Sequence, residues 1–359
     1  MNYTMEKKFN TSGRTVRLPY MDVAKGMGIL CVIIGHMGNE TINCINFFVS
    51  HAAVLLISGY FLSNRLTPKE VYRKRFKQLI KPYIYTCIAV VSIIGIKNLL
   101  NFFLGKETGK TVIKDIIKWG YASFYGAGTF HESPIKVIPI GAIWFLLAMI
   151  WGTSMTQYAR TKRYPTIWIV GIALIGYFSS EFIWLPWSIQ AAMTATVFIY
   201  MGTLLKEKEM LENNTTPLFA VSLLTWINEI AHGTPNLSIV KNFYPNGVFD
   251  FIGGGAGAVS IILIARHLCE QVNIKQIWNT FQWLGQNFMT ILCLHLIELN
   301  TVPWQRILWQ FNITQHLFVP VVLLKIVWSV GGTFLIEKYK VIYKEIANER
   351  TKHKEKFRI

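Results

Sequence analysis

The chain has 359 residues, of which 52% are hydrophobic, 14% aromatic and 15% charged, with a mean hydropathy of +0.35. A soluble domain carries about 25% charge, so the composition excludes an ordinary soluble protein and places the chain in lipid. The net charge of +17 does not signal nucleic acid, because the basic residues lie between apolar runs rather than on a soluble face with interleaved aromatic residues.

Residues 1–21 contain no apolar core that would serve as a cleavable signal peptide, so the first span is expected to act as its own insertion signal. A spanning helix needs about 20 apolar residues. On that criterion the chain predicts an all-α, polytopic membrane helix bundle of about ten spans, near 22–38, 42–62, 82–104, 138–158, 166–179, 183–205, 216–232, 248–268, 281–299 and 314–336. The fifth is short and the seventh carries Asn228 and Glu229, which makes them the weakest of the ten. Residues 1–21 read as a cytoplasmic segment, 22–336 as the membrane domain and 337–359 as a charged cytoplasmic tail.

Lys and Arg concentrate in 1–21, 65–81, 159–165, 206–215, 266–280 and 337–359, while the alternate connections hold far fewer. The positive-inside rule then sets both termini in the cytoplasm of a multi-pass inner-membrane protein. The longest external loop, 105–137, has Lys110, Lys114 and Lys118 at four-residue spacing, as on one face of an interfacial helix. Cys31, Cys44, Cys87, Cys269 and Cys293 show no CxxC spacing, so neither a disulfide framework nor a metal site is indicated.

The first span, YMDVAKGMGILCVIIGHM, buries ionisable residues where they are costly. Lys25 and His36 are eleven residues apart, close to three turns, so both project from one face about 16 Å apart. Asp22, three residues before Lys25, joins that face. Gly26, Gly28 and Gly35 permit close approach by another helix. A deep histidine suits general-base work on a hydroxyl, although interfacial anchoring for Asp22 and Lys25 and a bundle hydrogen bond for His36 would also account for the pattern.

The basic residue, ten intervening residues and histidine of Lys25 to His36 resemble the first helix of acyltransferase family 3, membrane acyltransferases that modify bacterial surface polysaccharides. Further segments agree in order and spacing: Ser58-Gly59-Tyr60 at the end of the second span, Arg75 and Pro82 approaching the third, Trp144-Phe145-Leu146, and a late helix running from Gly285 to His295. Two departures stand out, Lys25 where many members have Arg, and Phe288 and Leu292 where Ser and Tyr are common.

The resemblance implies an O-acyltransferase that carries an acyl group, most often acetyl, from acyl-CoA to a hydroxyl of a cell-surface or lipid-linked sugar. It implies His36, Lys25 and Asp22 as catalytic residues, with Arg75, Lys25 and Ser58 toward acetyl-CoA or another acyl-CoA, since a phosphate-bearing cytoplasmic donor calls for an inward basic site. Trp144, His51, Asp250 and His295 are the residues expected on the acceptor side, with His295 and Glu298 three apart as a potential buried pair. The expected partners are the lipid bilayer, acyl-CoA and a sugar or polysaccharide, with no metal and no nucleic acid. An exporter or flippase of a surface polysaccharide is the competing reading, since ten spans with buried charge also describe a carrier.

Overall fold

The computed structural model describes residues 17–36, 51–132, 136–213, 215–232, 237–271, 274–304, 307 and 318–356. Most of residues 1–21, the first half of the second span, Cys44, Arg306, the start of the tenth span and the last three residues lie outside that set. Every regular element among the described residues is a helix; extended backbone occurs as two isolated bridges, His131 with Val137 and Ser238 with Phe243.

The helices are α1 (Pro19–Gly35), α2 (His51–Tyr60), α3 (Pro68–Phe103), α4 (Gly109–Tyr125), α5 (Trp144–Arg160), α6 (Pro165–Phe182), α7 (Ile189–Glu207) and α8 (Thr215–His232). They continue with α9 (Val248–Glu270), α10 (Lys275–Gln286), α11 (Phe288–Thr301), α12 (Phe318–Ile326) and α13 (Gly332–Lys356). Among the described residues, five helical stretches are long and apolar enough to cross a membrane: Pro68–Phe103, Pro165–Phe182, Pro186–Glu207, Val248–Glu270 and Val319–Ile346. The fifth predicted span is therefore longer than the sequence indicated, whereas α8, the seventh, is not among the five.

Two boundaries differ from the sequence reading. The basic stretch assigned to a loop before residue 82 is the first part of α3, opened by a capping box in which Thr67 Oγ1 accepts from the Glu70 N–H and the Glu70 carboxylate accepts from the Thr67 N–H. Pro68 sits in the first turn, where its missing N–H costs nothing. At 36 residues, α3 is about 54 Å long, and α4 returns antiparallel along its second half, joined by Tyr83 Oη to the Ser123 carbonyl at 2.6 Å and Asn98 Nδ2 to Asp115 at 3.0 Å. Lys110, Lys114 and Lys118 are all exposed on α4. The second difference is the ninth span, which is divided at Asn287, the residue that ends α10 and precedes α11.

Close packing is set by paired glycines. A Cβ on Gly26 of α1 would stand 1.9 Å from the Phe281 carbonyl oxygen of α10, and one on Gly285 would stand 1.7 Å from the Asp22 carbonyl oxygen. Gly59 of α2 and Gly202 of α7 repeat the arrangement against Ile199 and Leu56. Backbones in van der Waals contact gain dispersion energy without any side chain, which is how helices associate in lipid. Between α12 and α13 the helix widens to a π turn, Val327–Gly331, beside α11, where Trp328 Nε1 donates to the Leu294 carbonyl at 3.2 Å.

Candidate functional site

The predicted residues other than Asp250 fall into two groups at opposite ends of α1. At its start, the buried Asp22 carboxylate is held by both Arg17 Nε at 2.6 Å and Lys25 Nζ at 3.2 Å. Its place in the first turn also sets a negative charge against the positive end of the helix. Lys25 Nζ lies 5.8 Å from the centre of the Phe61 ring, just past α2, and three residues earlier Ser58 Oγ accepts from Arg75 Nη2 at 3.1 Å. Lys25 and Arg75 thus both stand at the C-terminal end of α2, where the helix dipole favours cations.

At the other end, His36 follows the last turn of α1 and its Nδ1 lies 2.7 Å from the Val32 carbonyl oxygen. A carbonyl only accepts, so Nδ1 carries the proton and Nε2 keeps its lone pair. His295 Nε2 of α11 approaches the same His36 Nδ1 at 3.4 Å, the rings meeting edge to face with centres 5.2 Å apart. His51 stacks on Trp144 with ring centres 6.0 Å apart, meets Phe145 edge-on, and lies in the neighbourhood of His36.

Behind His295 lies a buried charged group. His295 Nδ1 is 2.8 Å from Glu298 Oε1, a close approach in which the N–H does not point along the line between the atoms. Lys325 Nζ of α12 lies 3.5 Å from the same oxygen, Trp304 Nε1 donates to Oε2, and the ammonium sits 5.3 Å from the Trp304 ring centre. His295, Glu298 and Lys325 side chains are at most 2% exposed.

Sequence reasoning placed His36 and His295 on the site but missed Lys325 and Trp304. A single lysine inside the apolar stretch 318–336 was the available signal. Asp250 stands apart. It is fully buried, its carboxylate accepts from the Asn246 N–H at 2.8 Å and side-chain amide at 3.3 Å, and the same amide reaches Glu229. An apolar cavity of about 330 Å³ between α3, α4 and α5, walled by Tyr72, Phe76, Leu147, Trp151 and Trp187 among others, includes none of the predicted site residues. No group of ligands that would hold a metal ion occurs among the described residues.

Apolar helices that reach membrane length, together with a buried imidazole pair joined through one helix to a cationic end, define an integral membrane protein with an internal polar centre. The chain belongs to acyltransferase family 3, whose acyltransferase-domain model matches residues 18–338, and it is a membrane acyltransferase. No curated protein and no solved structure matches the chain.

Proposed function

We propose that the chain is an O-acyltransferase of the cytoplasmic membrane that moves an acyl group, acetyl in the simplest case, from acyl-CoA to a hydroxyl of a cell-surface or lipid-linked sugar. Residues 22–336 form a ten-span domain in this reading, with the segment 1–21 and the tail 337–359 in the cytoplasm, as the distribution of Lys and Arg supports. The observation that carries the proposal is the division of α1, with Asp22 and Lys25 near one end and His36 beside His295 at the other.

Arg75 and Lys25 hold the phosphates of the donor, Asp22 steadies Lys25, and the pantetheine arm runs alongside α1 so that the thioester reaches His36. Nε2 of His36 takes the proton from the acceptor hydroxyl as its oxygen attacks the thioester carbon. The tetrahedral intermediate collapses, the carbon–sulfur bond breaks, and the proton passes from His36 to the departing thiolate. Trp144 and His51 provide the aromatic wall for the sugar.

The test is transfer of radiolabel from acetyl-CoA into envelope glycan by membranes containing equal amounts of wild-type, His36→Ala or Lys25→Ala protein. Labelling that is abolished by His36→Ala and weakened by Lys25→Ala is the expected result. Absence of labelling, with glycan export lost when the protein is removed, replaces this reading with a carrier.

A further inference from the structure

We infer that Glu298 is a positioning residue for the reaction at His36, acting through His295, and that Lys325 and Trp304 hold Glu298 in place for it. The inference rests on the proposed role of His36 and adds three residues to it.

His36 Nδ1 lies 2.7 Å from the Val32 carbonyl oxygen and 3.4 Å from His295 Nε2, so both are within reach of its proton. For His295 Nε2 to accept there, the His295 proton must sit on Nδ1, the atom 2.8 Å from Glu298 Oε1. Glu298 is fixed in turn, one oxygen against Lys325 Nζ and the other taking the Trp304 N–H. Lys325 arrives from a different helix, and the π turn that follows it lies against α11. An ion pair so completely removed from solvent is a costly way to join two helices, because apolar side chains of similar volume do so without desolvating charge. Ionisable residues buried at such depth mark a functional centre.

The chemistry follows from the charges. When the acceptor O–H bond breaks and the new N–H bond forms at His36 Nε2, the imidazole gains a positive charge. Its Nδ1–H then bonds more strongly to His295 Nε2, and the Glu298 carboxylate stabilises the pair from behind without taking up a proton. Lys325 and Trp304 hold the Glu298 carboxylate in place behind His295.

Removing the carboxylate alone leaves Lys325 buried without its partner, so Glu298→Gln is best made both singly and with Lys325→Met, which removes both charges together. In Glu298→Gln/Lys325→Met we expect kcat for acyl transfer to fall about 100-fold with KM for acyl-CoA within twofold of wild type. Glu298→Asp recovers part of the loss, and adding His295→Asn to Glu298→Gln costs little more. A second readout does not depend on acyl transfer: carbethoxylation of His36 by diethyl pyrocarbonate, followed by peptide mass spectrometry, slows several-fold in the double variant. A wild-type rate of His36 modification in a folded double variant overturns the inference, whether or not the chain transfers acyl groups. A wild-type kcat in that variant overturns it equally, while a slowed His36 reaction in a chain that labels no glycan sustains the positioning role and removes only the acyl-transfer reading.

Discussion

Gly26 and Gly285 bring the backbones of α1 and α10 into direct contact, the Cβ position of each lying within 2 Å of a carbonyl oxygen on the other helix. Neither carbonyl can move without breaking its own helical hydrogen bond. Gly285→Ala therefore forces α1 away from α10, and overpacking of this kind costs about 1–3 kcal/mol. The expected result is a lower unfolding temperature in detergent with a matching loss of activity. Gly331, which has open space at its Cβ position, is the control, and its replacement by Ala should leave the unfolding temperature close to wild type.

Arg75 and Ser58 test the cationic end. The guanidinium of Arg75 is half-buried and spends one donor on Ser58, leaving others available for a phosphate. Arg75→Lys replaces the fork by a single ammonium. It is expected to raise KM for acyl-CoA about tenfold, which is 1.4 kcal/mol, with kcat nearly unchanged. Ser58→Ala should do less, because it removes the partner and keeps the cation. A fall in kcat with constant KM would move Arg75 out of the donor site.

Trp144 tests the acceptor side. It is buried, and its indole supports His51 by stacking. Trp144→Phe preserves an aromatic face and is expected to change the KM for the sugar acceptor less than threefold, whereas Trp144→Ala raises it about tenfold through loss of stacking worth about 1 kcal/mol and of the wall itself. Equal effects of Phe and Ala on the acceptor KM would count against an aromatic contact.

What could be read from sequence was whatever repeats along one helix. The Asp22, Lys25 and His36 face, and the three-residue spacing of His295 and Glu298, follow from helical periodicity, and the structure puts the two pairs His36–His295 and His295–Glu298 in contact. The start of α3 was missed because its charges were read as loop, although Thr67-Pro68-Lys69-Glu70 is a helix-opening pattern. The break at Asn287 was hidden because apolar residues continue on both sides of it. Lys325 meets Glu298 from another helix, and no periodicity within one element records such a pairing.

His131 provides a prediction about pH outside the spanning segments. Its ring stacks on Trp184 with centres 4.0 Å apart, its Nε2 is 2.8 Å from Thr129 Oγ1, and its backbone pairs with Val137. Burial holds the imidazole below its ordinary value of 6.5, so the neutral form is the one that fits. As pH falls through the ordinary value, the opened segment binds a proton that the packed one resists. Packing is thus at full strength above the ordinary value and weakens as pH falls toward the lower value of the packed state. Hydrogen exchange of the backbone amides in 127–132 and 136–140, corrected for the intrinsic pH dependence of exchange, should show protection falling several-fold between pH 7.5 and pH 5. His131→Phe keeps an aromatic ring against Trp184 and has nothing to titrate, so its protection should stay constant over that range. If the wild-type segment shows the same constant protection, His131 remains neutral or stays packed when charged, and burial is not what sets its ionisation.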